Sequence, residues 1–131
     1  QGLDLASPFG MALVSAAAAR GSLPVPYLVE GEETKLSGEA PPMDPQAVEE
    51  LRQMMAAVTG PGGTASAFTA GGDIRGKTGE AEINGGSHSW FTGYRVDDDI
   101  AFATLVVLGG GSEAAVALSD RMLLNLDAPA E

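Results

Sequence analysis

The chain has 131 residues, of which 44% are hydrophobic, and a formal net charge of −11 with only seven Lys and Arg. So few cations cannot neutralise phosphates, which excludes nucleic acid as a partner, and the apolar content excludes a disordered chain. The absence of cysteine excludes disulfides and thiol chemistry, and no apolar run reaches the roughly 18 residues that span a bilayer. Because the chain begins with Gln1 rather than Met, we expect a processed or truncated piece of a longer protein.

The first predicted helix covers residues 7–20. Ser7 is suited to cap its start, and Gly21 is suited to its exit. A connection rich in Pro, Gly and Glu follows over 21–43, in which we expect a short extended piece at 26–30.

A second helix is predicted over 44–59, with Asp44 as its cap. Its apolar residues recur at helical spacing and form one stripe, which consists of Val48, Leu51, Met55 and Val58. The Gly-rich stretch at 60–68 lacks the spacing of a phosphate-binding loop and follows no strand, so we interpret it as a turn.

Three strands are predicted next, over about 73–83, 87–95 and 99–108. Asn84-Gly85-Gly86 predicts a tight hairpin between the first two strands, and Asp97-Asp98 joins the second to the third. The third strand is apolar on both faces, so we expect it to be covered on both sides or central in its sheet.

A final helix is predicted over 112–126, with Ser112 as its cap and an inward stripe of Leu118, Met122 and Leu126. The order of elements predicts an α+β fold, in which a three-stranded antiparallel sheet packs with helices.

A Lys-Thr-Gly tripeptide, Lys77 to Gly79, lies on the first predicted strand. The tripeptide alone is a weak signal, because a Lys on an edge strand usually serves solubility. Its context is more specific, since a hairpin, the aromatic strand "HSWFTGY", an apolar strand and a final helix follow in order.

This arrangement resembles the serine penicillin-recognising acyl transferases, and within them the C-terminal part of a penicillin-binding protein transpeptidase domain. The opening "QGLDLASPFGMALVSAAAARG" is similar to the family's Gly-Gln-Gly, Thr/Ser-Pro and Ala-rich helix, and "MMAAVTGPGGTA" to the helix and Gly-Thr-Ala turn before its KTG strand. The segments "DIRGKTGEAE", "HSWFTGY" and "FATLVVLGGGSEAAVALSDRML" are similar to its last strands and helix. The resemblance covers nearly the whole chain and implies an incomplete domain whose three strands belong to a larger sheet.

The resemblance implies a D,D-transpeptidase, in which a serine attacks a D-Ala-D-Ala carbonyl and forms an acyl-enzyme, as it also does with β-lactams. It implies that the Lys77 ammonium holds the ligand carboxylate and helps organise the catalytic network, and that Thr78 hydrogen-bonds the same carboxylate. It further implies that Gly79 lets the backbone approach the ligand and that the Glu80 N–H contributes to the oxyanion hole. The implied partners are peptidoglycan stem peptides, β-lactams and the remainder of the domain, with no cofactor.

The chain departs from the family pattern in two ways. Glu80 stands where the family has Thr or Ser, and we favour a carboxylate that turns away and pairs with Arg75 or Lys77 over one that faces the ligand. No Ser is followed three residues later by Lys, and no Ser or Tyr is followed two residues later by Asn, although these are the family's nucleophile and helper motifs. We therefore expect the nucleophile, and an anchor in the cell membrane, on upstream sequence, with the domain outside the cytoplasm.

Several other residues have an ordinary structural interpretation. We expect His88, the only histidine, to be exposed or hydrogen-bonded, because no Cys or second His could complete a metal site. We expect Arg75 to pair with the Glu-rich surface rather than to position an anionic ligand, and residues 97–99 to form a solvated turn rather than a calcium site. Packing rather than ligand stacking is expected for the aromatic side chains of the second strand, Trp90, Phe91 and Tyr94.

Two further functions stay open. One is a non-catalytic β-lactam sensor or scaffold of the same fold, which Glu80 favours, and the other is a D,D-carboxypeptidase or β-lactamase. Because the first helix and the sheet would normally pack against upstream segments, we also expect the chain alone to associate, as a homo-oligomer, a swapped pair or a complex with the rest of the domain.

Overall fold

The computed structural model describes residues 4–129, so Gln1 to Leu3 of the family-like opening lie outside the described part. Within the described part three helices are observed: α1 over Pro8–Arg20, α2 over Pro45–Thr59 and α3 over Glu113–Asp127. The strands β1, β2 and β3 cover Ile74–Ile83, Gly86–Arg95 and Ile100–Val106. They form an antiparallel sheet in the order β1-β2-β3, which confirms the predicted α+β class. Within residues 4–129 no helix combines the length and apolar character needed to cross a membrane.

The first two helices begin at their predicted caps. The Ser7 hydroxyl accepts a hydrogen bond from the Gly10 N–H at 3.1 Å, and the Asp44 carboxylate accepts from two N–H groups of the first turn of α2. Gly21 ends α1 with φ of 77°, a left-handed conformation that glycine adopts without a steric cost. These local signals therefore predicted the helix boundaries well.

Arg52 joins α2 to the end of α1. Its guanidinium donates to the carbonyl oxygens of Ala18 and Ala19 at 2.9 and 2.6 Å, where the last carbonyls of α1 lack helical partners. The predicted stripe of α2 is confirmed, because Val48 and Met55 are buried and the other two members are partly buried.

Each face of the sheet has its own core, because successive side chains of a strand point to opposite faces. On one face α3 packs over Phe91 and Phe102, and Ala65 and Leu123 are fully buried there. On the other face α1 and α2 enclose Tyr94. The edge strand β3 is thus covered on both faces, which was one of its two predicted arrangements.

The β1–β2 hairpin is tighter than predicted. Its turn consists of Asn84 and Gly85 alone, and Gly86 is already the first residue of β2. Gly85 has φ of 95°, a left-handed backbone conformation that glycine adopts without a steric cost. The pairing then runs outward without interruption to Ile74 opposite Arg95.

The predicted extended piece at 26–30 is not formed. Residues 28–31 bend and turn instead, and most of the connection around them is exposed. Pro24 and Pro26 have no N–H to donate to a neighbouring strand, so this segment cannot complete a ladder of backbone hydrogen bonds.

Ser112 precedes α3 as predicted but does not cap it through its side chain, and of the predicted inward stripe Met122 packs against the core whereas Leu118 and Leu126 do not. Ser112 has helical φ and ψ of −67° and −13°, and its hydroxyl makes no capping hydrogen bond. Leu118 and Leu126 are about half exposed, at 49% and 56%. Small side chains bring the helix close to the sheet, where Ser119 Oγ donates to Thr104 Oγ1 at 2.8 Å. The buried face consists of Ala115, Val116, Ser119 and Leu123.

The segment between α2 and β1 is hydrogen-bonded to two helices, α2 and α3. The Ala65 N–H donates to the Val58 carbonyl at 2.9 Å. On α3, Asp120 accepts from the N–H groups of Thr69 and Ala70 and from the Thr69 hydroxyl, each at 2.7 Å. Burial raises the pKa of Asp120, but the hydrogen bonds from Ala70 and Thr69 outweigh it and hold the pKa below its usual range.

Thr92 on β2 ties α1 to the sheet. Its Oγ1 lies 2.6 Å from Ser15 Oγ and 2.9 Å from the carbonyl oxygen of Met11, both on α1. Ser15 is only 1% exposed, so water cannot replace Thr92 as its partner.

Asp120→Ala should lower the free energy of unfolding by about 1–2 kcal/mol at pH 7, because three donors lose a charged, partly exposed acceptor. The folded-state pKa lies below the ordinary value of 3.8, so this stabilisation is present above that value and is lost as the pH falls through the folded pKa. Urea unfolding at pH 7 and at pH 3 should therefore show a smaller deficit in acid. Asn125→Ala, on the exposed side of α3, is the control, and a deficit independent of pH would contradict the assignment.

Thr92→Val should lower the free energy of unfolding by about 1–3 kcal/mol, because the buried Ser15 hydroxyl loses its partner while the side-chain volume is kept. Adding Ser15→Ala should recover part of the loss, since both hydroxyls are then replaced by apolar groups. Urea unfolding of the two single variants and the double variant measures this coupling. Simple additivity of the two losses would show that the hydroxyls do not act as a pair.

Candidate functional site

The Lys-Thr-Gly residues lie in the middle of β1, at the free edge of the sheet. Lys77 stands opposite Thr92 and therefore lies on the α1 face, together with Gly79. Thr78 stands opposite Phe91 and lies on the α3 face, together with Glu80. The four predicted site residues thus follow one strand edge without sharing one face.

A cavity of about 200 Å³ opens between β1, β2 and the start of α1. Its lining consists of Ala6, Met11, Lys77, Thr78, Gly79, Trp90 and Thr92. Lys77 carries the one formal charge among these lining residues, and the rest of the wall is neutral. The electrostatics of the cavity therefore favour a ligand with an anionic group.

Lys77 is exposed and retains donor capacity for such a group. Its Nζ donates to the carbonyl oxygen of Thr78 at 2.8 Å. An ammonium has three donors, so this bond to its neighbour leaves capacity for a carboxylate.

The Thr78 hydroxyl is hydrogen-bonded to a second hydroxyl, which was not predicted to belong to the site. Thr78 is 8% exposed, and its Oγ1 lies 2.8 Å from Oγ1 of Thr64. Thr64 belongs to the Gly-Thr-Ala turn after α2. Gly63 packs this turn against α2 so tightly that an added Cβ would lie 2.2 Å from the Val58 carbonyl oxygen.

Glu80 turns toward β2, where its Oε1 accepts a hydrogen bond from Ser87 Oγ at 2.6 Å. The predicted partners, Arg75 and Lys77, were wrong, because alternation places both of them on the opposite face of β1. Arg75 instead pairs with Asp73 at 2.6 Å, an acidic surface partner of the predicted kind. The hydrogen bond from Arg75 holds the pKa of the Asp73 carboxyl below its usual range.

The remaining candidates have structural partners. His88 accepts a hydrogen bond on Nδ1 from the Leu108 N–H at 3.0 Å, and Phe91 and Tyr94 are buried, as predicted. Trp90 is partly buried and lines the cavity. In the predicted acidic turn, Asp97 accepts a hydrogen bond from the Asp73 N–H and Asp98 accepts hydrogen bonds from the Arg95 guanidinium. Across the described residues no group of three or more His, Cys, Asp or Glu side chains could hold a metal ion.

Three residues contact the predicted site without having been predicted from the sequence: Thr64, Thr92 and Ser87. A two-residue turn at 84–85 places Thr92 directly opposite Lys77, so the correct hairpin register would have identified it. Ser87 reaches Glu80 across the same hairpin. No local signal identifies Thr64, because its contact with Thr78 depends on how the turn folds back from α2 onto β1.

Residues 1–123 match the family described as the penicillin binding protein transpeptidase domain. Among solved structures, the chain is similar to Pseudomonas aeruginosa PBP2 in complex with WCK 5153, with 25% identity and a TM-score of 0.72, over 93% of this chain and 30% of that one. It is similar to the D,D-transpeptidase domain of a peptidoglycan glycosyltransferase from Eggerthella lenta, with 28% identity and a TM-score of 0.59, over 88% of this chain and 32% of that one.

The fold is also shared with an imipenem acyl-enzyme complex of penicillin-binding protein A from M. tuberculosis, at 20% identity and a TM-score of 0.60, over 93% of this chain and 32% of that one. No curated protein matches the chain. The chain spans about a third of the length of these three solved relatives. With its strand order, its KTG edge strand and the match over residues 1–123, the chain belongs to the penicillin-binding protein transpeptidase family.

Proposed function

We propose that this chain is the C-terminal part of a D,D-transpeptidase that cross-links peptidoglycan and binds penicillin. The observation that carries the proposal is the exposed ammonium of Lys77, which supplies the one formal charge in the lining of a cavity beside a free strand edge. Family membership supports it, as do two relatives: one is described as a D,D-transpeptidase domain, and another was solved as an acyl-enzyme with imipenem.

In this proposal Lys77 binds the carboxylate that D-Ala-D-Ala peptides and β-lactams carry next to the scissile bond. A charge-assisted hydrogen bond from an ammonium is about twice as strong as a neutral one, and the weakly polar walls of the cavity increase its effect. Thr78 adds a hydroxyl to the same carboxylate. The ligand is thereby positioned before any covalent step occurs.

The backbone of β1 contributes the second part of the site. A ligand that lies along the free edge of β1 is held as an additional strand, with specificity from the side chains next to it. Gly79 lets the ligand approach the backbone, because no Cβ stands in the way. The Glu80 N–H then contributes to the oxyanion hole, which stabilises the negative charge that develops on the attacked carbonyl oxygen.

The proposal assigns the nucleophile to a part of the protein outside this sequence. The sequence has no Ser followed three residues later by Lys, which supports a Ser-Lys pair supplied by the upstream part of the domain. We place that domain outside the cytoplasm, where peptidoglycan is, with its membrane anchor upstream. Exposed apolar side chains lie on α3 and directly after β3, where Leu118, Leu126, Val107 and Leu108 are about half exposed or more, and we propose that the upstream part, or a second copy in its absence, covers them.

Lys77→Ala in the full-length protein that contains this chain should slow acylation by benzylpenicillin roughly ten- to a hundredfold. The loss corresponds to one charge-assisted contact of about 1.5–3 kcal/mol. Second-order acylation rates, followed with a fluorescent penicillin, measure it.

Lys77→Arg is the matched control and should restore the rate only in part, because a planar guanidinium does not replace a compact ammonium. The 131-residue chain alone should give no covalently labelled band on denaturing electrophoresis. An unchanged rate for Lys77→Ala would refute the role of the KTG strand, and labelling of the isolated chain would refute the upstream nucleophile.

Glu80→Thr should change the acylation rate less than about threefold, because the hydrogen bond from Ser87 holds the Glu80 carboxylate toward β2, on the side of β1 opposite to the free edge along which the ligand lies. Ser87→Ala should slow acylation when Glu80 is present, since a released carboxylate repels the ligand carboxylate, and should have little effect in the Glu80→Thr background. The same rate measurement tests all three variants. A tenfold or greater gain for Glu80→Thr would favour the alternative function, a sensor or scaffold whose carboxylate site is impaired.

A further inference from the structure

The hydroxyl pair Thr64–Thr78 connects the Gly-Thr-Ala turn to the KTG strand. The two Oγ1 atoms lie 2.8 Å apart, which is a hydrogen bond between hydroxyls. Thr78 is 8% exposed, whereas Thr64 is exposed, so the pair runs from the surface of the turn into the protein. The KTG strand is therefore hydrogen-bonded to a residue that lies outside the β1–β2 hairpin.

The direction of this hydrogen bond determines what Thr78 can do. A hydroxyl has one proton to donate and two lone pairs that accept. If Thr78 donates to Thr64, its proton is used and it cannot bind an anion. If Thr64 donates to Thr78, the proton of Thr78 is free for a carboxylate, and the accepted bond also polarises it.

The turn holds Thr64 in place by its backbone. On one side of Thr64, Gly63 packs against the α2 carbonyls too closely for any side chain. On the other side, Ala65 is fully buried and donates its N–H to Val58 at 2.9 Å. Thr64 is thus presented to Thr78 with little freedom to move away.

We infer that Thr64 is a positioning residue, which donates to Thr78 and thereby directs the Thr78 proton toward the ligand carboxylate. The inference rests on the proposed function, because it concerns the same anion-binding site. Thr64 acts only through Thr78 and does not touch the ligand. Its removal lowers carboxylate recognition and leaves the covalent chemistry of the acylation step unchanged.

The test uses the full-length protein that contains this chain, in five forms: unchanged, Thr64→Val, Thr64→Ser, Thr78→Val, and the Thr64→Val/Thr78→Val double variant. Ser66→Ala, an exposed position on the same turn, is the control. Acylation rates are measured with benzylpenicillin and with its methyl ester, which lacks the anionic carboxylate. Thermal unfolding of each variant reports its stability.

Thr64→Val should lower the benzylpenicillin rate about fivefold, the effect of one neutral hydrogen bond, and should leave the ester rate unchanged. Thr64→Ser should restore the rate, and the double variant should be no slower than Thr78→Val alone. Equal losses with penicillin and ester, or an additional loss from Thr64→Val in the Thr78→Val background, would overturn the inference. If the unchanged protein is not acylated, or Lys77→Ala has no effect, the proposed function fails, and this inference fails with it.

Discussion

The two-residue turn at Asn84-Gly85 is the constraint on which the rest of the site depends. It sets the β1–β2 register, which places Lys77 opposite Thr92 and Thr78 opposite Phe91. The side-chain period of a strand is two, so a slip of one residue would exchange the faces of every residue on β1. Lys77 would then lie in the α3 core, and the Thr78 hydroxyl would lose its partner.

On each face of the β1–β2 hairpin, a threonine hydroxyl forms hydrogen bonds to a different segment of the chain. On the α1 face, Thr92 binds α1 directly behind the Lys77 cavity. On the α3 face, Thr78 binds the turn that leads into β1. Because both contacts are made by neutral hydroxyls, they specify geometry and add no formal charge. The charge in the lining of the cavity is consequently that of Lys77.

The strongly acidic chain makes this local arrangement important. A net charge of −11 repels anionic ligands at long range, although screening over about 8 Å at physiological salt limits the effect. Inside the cavity a single ammonium at contact distance outweighs distant carboxylates. The two acidic residues nearest to Lys77 in the sequence have partners of their own. Ser87 donates a hydrogen bond to Glu80, and Arg75 forms an ion pair with Asp73. An anion-binding site is therefore compatible with an acidic protein.

Local stereochemistry made much of the fold predictable. The caps Ser7 and Asp44 and the glycine after α1 act within a few residues, so they could be read from the sequence alone, as could the place of the β1–β2 turn but not its two-residue length. The resemblance to the penicillin-binding protein transpeptidase domain was also visible in the sequence alone, because it depends on the order of the segments around the KTG strand. The buried face of α3 was not predictable in this way, because small residues that let a helix approach a sheet carry a weaker hydrophobic signal than the leucines beside them.

The sequence by itself determined the order of the elements, the ends of the first two helices and the residue types at the edge of β1. Only the tertiary structure decided that Thr64 meets Thr78, that Ser87 holds Glu80, and that Arg52 joins α1 to α2. Caps and turns are made by neighbours along the chain, so their residues suffice to predict them. Contacts between segments depend on register and on how closely helices pack, and these emerge only when the whole chain is folded.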